Sequence, residues 1–252
     1  MDLHGAFHVY DTTLRDGAQQ EGLNLSVADK LTIAKQLDGL GVGFIEGGWP
    51  GSNPKDTEFF RRAREELDLR HAKLAAFGAT RRAGVRAADD PLVAALRDSG
   101  AGVVTLVAKS HDRHVELALR TTLEENLAMV RDTVTHLREE GQTVFLDAEH
   151  FFDGYRANRA YALEVLRTAA EADAEVVELT RDGELVGDRE AEPLLLGAVA
   201  QGGVVDVERA VEVHRVLSRA GISGWLGQQK NLSGTRGWRV GHPWRERRRA
   251  RQ

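Results

Sequence analysis

Cysteine is missing from all 252 residues, and methionine, tyrosine and proline are scarce at two, three and five. Without cysteine the chain has no disulfide, no thiolate nucleophile and no Cys-ligated zinc or iron–sulfur site. No apolar run approaches the roughly 18 residues that a membrane helix needs. Met1 to His8 has neither a basic region nor an apolar core, so a secretory leader is not expected. A cytoplasmic protein is the expected reading. What is present is ordinary for a soluble globular chain, with 42% hydrophobic and 29% charged residues. That length supports one large α/β domain or two small ones.

Charge is unevenly spread. Arg236 to Gln252 holds seven arginines against one glutamate, a local +6, which leaves −11 on the remainder of a chain whose total is −5. A basic end of this kind is a solvated tail more often than a nucleic-acid arm, so no nucleic-acid partner is expected.

Short apolar runs alternate with longer amphipathic stretches. Phe7–Tyr10, Gly43–Glu46, Lys73–Phe77, Val103–Ala108, Thr143–Ala148 and Glu175–Leu179 read as buried parallel strands. Between them Val27–Leu40, Lys55–Leu67, Pro91–Ser99, Leu123–Glu140 and Ala160–Ala172 carry apolar residues at helical spacing. Ser26 and Asp29 form a capping-box pattern, and Gly41, Gly100 and Gly141 each follow a helical run, where a left-handed residue is wanted. Six βα repeats predict a parallel barrel or a doubly wound sheet.

After Leu179 the rhythm breaks. Glu190–Ala200 and Val207–Ala220 read as helices, Ile222–Leu226 as a weak strand, and the Gly-, Trp- and Arg-rich end from Gly227 as disordered. The expected division is a barrel-type domain over 1–226 and a basic tail over 227–252.

The segment Tyr10-Asp11-Thr12-Thr13-Leu14-Arg15-Asp16-Gly17-Ala18-Gln19-Gln20 follows the first strand. An Arg beside an Asp there offers a fixed cation and a hard oxygen donor, although Arg-Asp-Gly alone also suits an exposed turn. Gly47-Gly48-Trp49-Pro50-Gly51-Ser52-Asn53-Pro54 after the second strand reads as a tight loop. Phe77 to Arg82 follows the third strand, and Ala148-Glu149-His150-Phe151-Phe152-Asp153-Gly154-Tyr155 the fifth.

These four segments, in this order, resemble the citramalate synthase and 2-isopropylmalate synthase family of the DRE-TIM metallolyase superfamily. The resemblance covers about residues 5–179, roughly 70% of the chain. It implies a TIM (β/α)8-type barrel, incomplete or distorted after the sixth strand, and a Claisen-type condensation of acetyl-CoA with a 2-keto acid. Pyruvate, giving citramalate for branched-chain amino-acid biosynthesis, is the favoured acceptor. Carried over, Asp16 ligates a divalent cation (Mg2+, Mn2+ or Zn2+), and Arg15 holds the keto acid and its developing oxyanion. Gln19 completes the substrate constellation, and Glu149 deprotonates the acetyl-CoA methyl. His150 is a loop histidine without a paired second histidine and is not expected to ligate. A homodimer, as in the family, is a further implication.

The chain also departs from that pattern. Thr180-Arg181-Asp182-Gly183 stands where relatives carry a Cys-Asp-Thr-Asn-Gly-Gly-like segment, and no His-X-His follows Glu149; the histidines there are His150, His214 and His242. Two readings stay open at this stage. One is an acyltransferase of the citramalate synthase type. The other is a catalytically impaired remnant of such an enzyme, with a hydroxymethylglutaryl-CoA lyase or homocitrate synthase as the related alternative.

Overall fold

The computed structural model describes residues 8–179. The expected helices at 190–200 and 207–220, the strand at 222–226 and the basic tail lie outside the described residues. Within them the chain runs β1 (Tyr10–Asp11), α1 (Val27–Gly39), β2 (Phe44–Gly48), α2 (Pro54–Glu66), β3 (Lys73–Ala79), α3 (Pro91–Arg97) and β4 (Val103–Lys109). It continues through the short α4 (Asp112–His114), which passes into a π turn at Val115–Leu119, then α5 (Leu123–Glu139) and β5 (Thr143–Glu149). α6 (Phe151–Ala157), α7 (Arg159–Glu171) and β6 (Val176–Leu179) follow.

All neighbouring strands are parallel and in sequence order, β1-β2-β3-β4-β5-β6, as the βα alternation predicts. The sheet is strongly curled. Four strand spacings of about 4.8 Å would hold β1 and β5 roughly 19 Å apart in a flat sheet. Instead the Tyr10 and Phe145 rings meet with centroids 6.2 Å apart, and Phe44 packs edge-on to Phe145 at 5.0 Å. Tyr10, Phe44, Ala75, Val103 and Phe145 thus form one apolar layer on the concave face. The alternate residues Ile45, Ala76, Val104, Leu106, Val144, Leu146 and Ala148 pack outward beneath the helices in the larger core. Two covered faces explain why the strands read as continuous apolar runs rather than as alternating ones. The architecture is an incomplete TIM-type barrel.

Local signals act as expected. The Ser26 hydroxyl accepts from Asp29 N at 3.2 Å while Ser26 N donates to the Asp29 carboxylate at 2.9 Å, closing the capping box of α1. Gly41, Gly100 and Gly141 all adopt positive φ after their helices. Two features differ from the sequence reading. β1 pairs only through Tyr10 and Asp11, because the ladder with β2 closes at Phe44 and Ile45. The segment after β5 is not a loop: Phe151–Ala157 is a helix held close to the end of β4, where a Cβ on Gly154 would strike the Ser110 carbonyl.

Candidate active site at the C-terminal edge of the sheet

One layer above the aromatic ring, the concave face turns polar. Glu46 on β2 is 1% exposed and receives the Tyr10 hydroxyl at 2.6 Å and Arg15 Nε at 2.5 Å. Having donated its only proton to Glu46, the phenol accepts from Thr105 Oγ1, also 2.6 Å away. β1, β2 and β4 are thereby tied together through one buried carboxylate. Burial pushes Glu46 above the ordinary carboxylate range, against the pull of Arg15 and of the Tyr10 hydroxyl. For Arg15 the balance is reversed. Burial would lower it, but Glu46 and Asp16 outweigh that, and the guanidinium is held more firmly charged than usual.

The guanidinium lies 3.9 Å over the Phe77 ring, and Phe77 meets Trp49 edge-on at 5.4 Å. The loop carrying Trp49 is fixed from behind. Asp56 on α2 accepts Trp49 N at 3.0 Å and Lys30 Nζ at 2.5 Å, and both members of that pair are buried. Gly48 sits against the same carboxylate at φ +142°, where any side chain would collide with it. Arg15, Gln19, Asn24, Trp49, Ser52 and Asn53 line a cavity of about 280 Å³ beside the first strand. The carried-over pair Arg15 and Gln19 therefore shares one cavity.

Asp16 is in contact with Arg15 at 3.3 Å, but its side chain is 63% exposed. Among the described residues, no three His, Asp or Glu side chains converge to hold a metal ion. A divalent cation needs several such donors. The described residues therefore do not fit the implied metal.

Glu149 ends β5 on the same edge of the sheet. Its carboxylate pairs with Lys109, the register partner at the end of β4, and lies 3.8 Å from His150 Nε2. His150, at φ 58°, packs edge-on to His114 at 4.3 Å, and His114 stacks on His111 at 4.6 Å. Burial, together with the neighbouring His150, His111 and Lys109, lowers His114 below its ordinary value. The described residues thus present two polar groups on one edge, around Arg15 and around Glu149. They do not bring Arg15 and Glu149 into contact, since the ion pairs of Arg15 are with Glu46 and Asp16. Of the quoted family segments, Arg81 and Arg82 serve the scaffold. Arg81 is held by Glu125 and Asp132 at 2.8 and 2.6 Å, and Arg82 by Asp90 at 3.0 Å.

Glu46, Tyr10, Lys109, His111 and His114 carry no role in the sequence reading. The available signal for Glu46 was a single acid within an apolar strand, a residue rarely buried without a partner.

An incomplete parallel (β/α) barrel with charged groups at the C-terminal ends of its strands places the chain in the TIM-barrel fold class. Over residues 6–222 the sequence matches the HMGL-like family model, and the chain belongs to that family. The match continues beyond residue 179, where the legible motifs stop. The sequence is 71% identical over 178 residues to (R)-citramalate synthase of Streptomyces coelicolor, covering 71% of this chain and 33% of that protein. It is 54% identical over 167 residues to (R)-citramalate synthase of Synechocystis sp., covering 66% and 30%. A 2-isopropylmalate synthase of Listeria innocua is more distant at 31% over 170 residues, covering 68% and 31%. The chain thus spans about a third of the length of these curated relatives. Among solved structures, the HMG-CoA lyase of Bacillus subtilis superposes with a TM-score of 0.58 at 14% identity, over 77% of this chain and 64% of that one. That likeness concerns the fold.

Proposed function

We propose that this chain binds acetyl-CoA and a 2-keto acid, with pyruvate favoured, and carries the residues that activate both for Claisen-type condensation to citramalate. The reading is supported by the similarity to (R)-citramalate synthases. The observation that carries it is the Arg15 guanidinium, buttressed by buried Glu46 and stacked on Phe77 at the mouth of the curled sheet. Arg15 has five N–H donors in a rigid fork. Its Nε serves Glu46 and one NH1 hydrogen serves Asp16, which leaves three for the carboxylate and keto oxygen of the acceptor.

Glu149 takes a proton from the acetyl-CoA methyl, and the resulting carbon nucleophile attacks the keto carbon. The keto oxygen gathers the negative charge beside Arg15, where a preorganised cation lowers the barrier. Water then cleaves the thioester and releases CoA. Gln19, in the Arg15 cavity, orients the acceptor. Asp16 supplies one oxygen donor beside Arg15. The proposed assembly is the 1–226 domain, as a homodimer.

Calorimetric titration of the full chain with acetyl-CoA and with a panel of 2-keto acids tests the reading, combined with mass-spectrometric detection of the condensation product. Binding of acetyl-CoA, and of pyruvate ahead of bulkier keto acids, is expected. A chain that binds neither acetyl-CoA nor any 2-keto acid overturns it.

A further inference from the structure

Lys109 has no assigned part in this chemistry, yet it is placed within it. It ends β4 as the register partner of Glu149. Val103 packs in the concave layer and Thr105 reaches Tyr10 on the same face, so strand alternation carries position 109 to the concave side as well. Its ammonium touches the Glu149 carboxylate, and the two side chains are 23% and 28% exposed. That exposure opens them to a ligand entering at the strand ends, and it limits what the pair adds to stability, since solvent screens such contacts. A fold needs no lysine directed inward at the mouth of a barrel.

We propose that Lys109 is a catalytic residue of the condensation, its ammonium holding the thioester oxygen of acetyl-CoA while Glu149 removes the methyl proton. The inference rests on the reading of Glu149 as the base. In that step the methyl proton passes to the Glu149 carboxylate. The C–H electron pair becomes the new carbon–carbon π bond, and the carbonyl π pair moves onto oxygen, giving the enolate. The oxygen lies two bonds from the deprotonated carbon, so a cation beside the base is also beside the new charge. Nothing is oxidised or reduced, and Lys109 remains protonated throughout. The Lys109 ammonium passes from Glu149 to the substrate oxygen as the carbon acid arrives. His150 stays 3.8 Å from the other Glu149 oxygen and His114 packs behind it, so the carboxylate keeps a polar neighbour when Lys109 departs. Two cations then serve two oxygens: Lys109 the thioester oxygen, Arg15 the keto oxygen.

The test measures equilibrium binding of acetyl-CoA and of S-carboxymethyl-CoA, whose carboxylate imitates the enolate, to the full chain and to its Lys109→Gln and Lys109→Arg variants. Lys109→Gln is expected to weaken the enolate mimic by about 100-fold, the usual loss when a preorganised contact to developing charge is removed. Its affinity for acetyl-CoA, whose thioester oxygen carries no full charge, should fall far less, and Lys109→Arg should recover part of the loss. In deuterated water, exchange of the acetyl-CoA methyl hydrogens should slow in Lys109→Gln and in Glu149→Gln alike. Equal weakening of both ligands, or no change for the mimic, overturns the role of Lys109. If Glu149→Gln leaves the exchange untouched, the base assignment fails and the inference with it. If the unaltered chain binds neither ligand, it is the acyl-CoA reading that fails.

Discussion

Arg15 and Glu46 are joined at 2.5 Å across the first two strands, with the carboxylate 1% exposed and the guanidinium side chain 19% exposed. The acid is wholly inside while the base reaches the mouth. Glu46 is therefore the fixed member, and Arg15 is the part that reaches the surface. A lone arginine at the edge would sample many rotamers, and losing them on binding costs free energy. Holding Nε at Glu46 and the flat face on Phe77 removes most of that freedom beforehand.

Truncating the buried acid is the sharpest check on this arrangement. Glu46→Ala leaves Arg15 and the Tyr10 hydroxyl without their shared acceptor, and breaking such a pair costs about 3–5 kcal/mol. Tyr10→Phe should cost about 1–3 kcal/mol, because Glu46 and Thr105 each lose a buried partner. Urea unfolding reads both. A Glu46→Ala variant as stable as the parent would show that the carboxylate does not organise this face.

Much of this fold could be read before any coordinates, and the reasons are specific. Strands buried on both faces leave apolar runs such as Val103–Ala108 that survive as local signals, and caps such as Ser26–Asp29 involve residues three apart. The site was less legible because its contacts join residues distant in sequence. Arg15 and Asp16 stood out within a recognisable segment, but their neighbour Glu46 lies 31 residues from Arg15 and appeared only as one acid in a hydrophobic strand. Lys109 and Glu149 are neighbours only through strand register, which the sequence does not display. The Phe151–Ala157 helix was hidden because it is only seven residues long and contains a glycine.

The clamp behind the Trp49 loop gives a second prediction. Lys30 and Asp56 are buried together, and Asp56 also receives Trp49 N. Lys30→Met should destabilise by about 3–5 kcal/mol, since it strands a buried carboxylate. The double variant Lys30→Met/Asp56→Leu should recover part of this loss through apolar packing. Gly48→Ala should move the loop outright, because its Cβ overlaps Asp56 at a φ that side chains avoid. Trp49 fluorescence then shifts, and an unshifted spectrum with unchanged unfolding would refute the clamp.

The histidine stack sets a pH dependence. His114 is lowered in the folded chain, first by burial and then by His150, His111 and Lys109, with Glu149 opposing. A group depressed by folding takes up its proton more readily when unfolded. Its contribution to stability is therefore present above the unfolded value near 6.5 and is lost as pH falls through the folded one. The thermal midpoint should drop between about pH 7.5 and pH 5.5, a window set around the ordinary histidine value. The drop should be smaller in His114→Gln. Identical drops in both proteins would place the titration elsewhere.

The last prediction concerns turnover. With pyruvate and Mn2+, the full chain should release CoA from acetyl-CoA slowly, well below the rate of about 1 per second at the low end for enzymes. The reason lies in the donors at the mouth. Asp16 is one exposed carboxylate, and among the described residues no cluster of His, Asp or Glu could hold the cation. Arg15 then stabilises the alkoxide by itself, and losing one preorganised electrostatic partner typically costs about 100- to 1,000-fold in rate. Asp16→Asn should consequently change little: metal binding by equilibrium dialysis is weak before and after, and CoA release stays near its starting level. Arg15→Met should abolish what release there is, because it removes the one cation held at the acceptor. Release near 1 per second that vanishes in Asp16→Asn would overturn this expectation. It would mean that Asp16 is completed as a metal ligand by residues outside 8–179, His4, His214 and His242 being the histidines there.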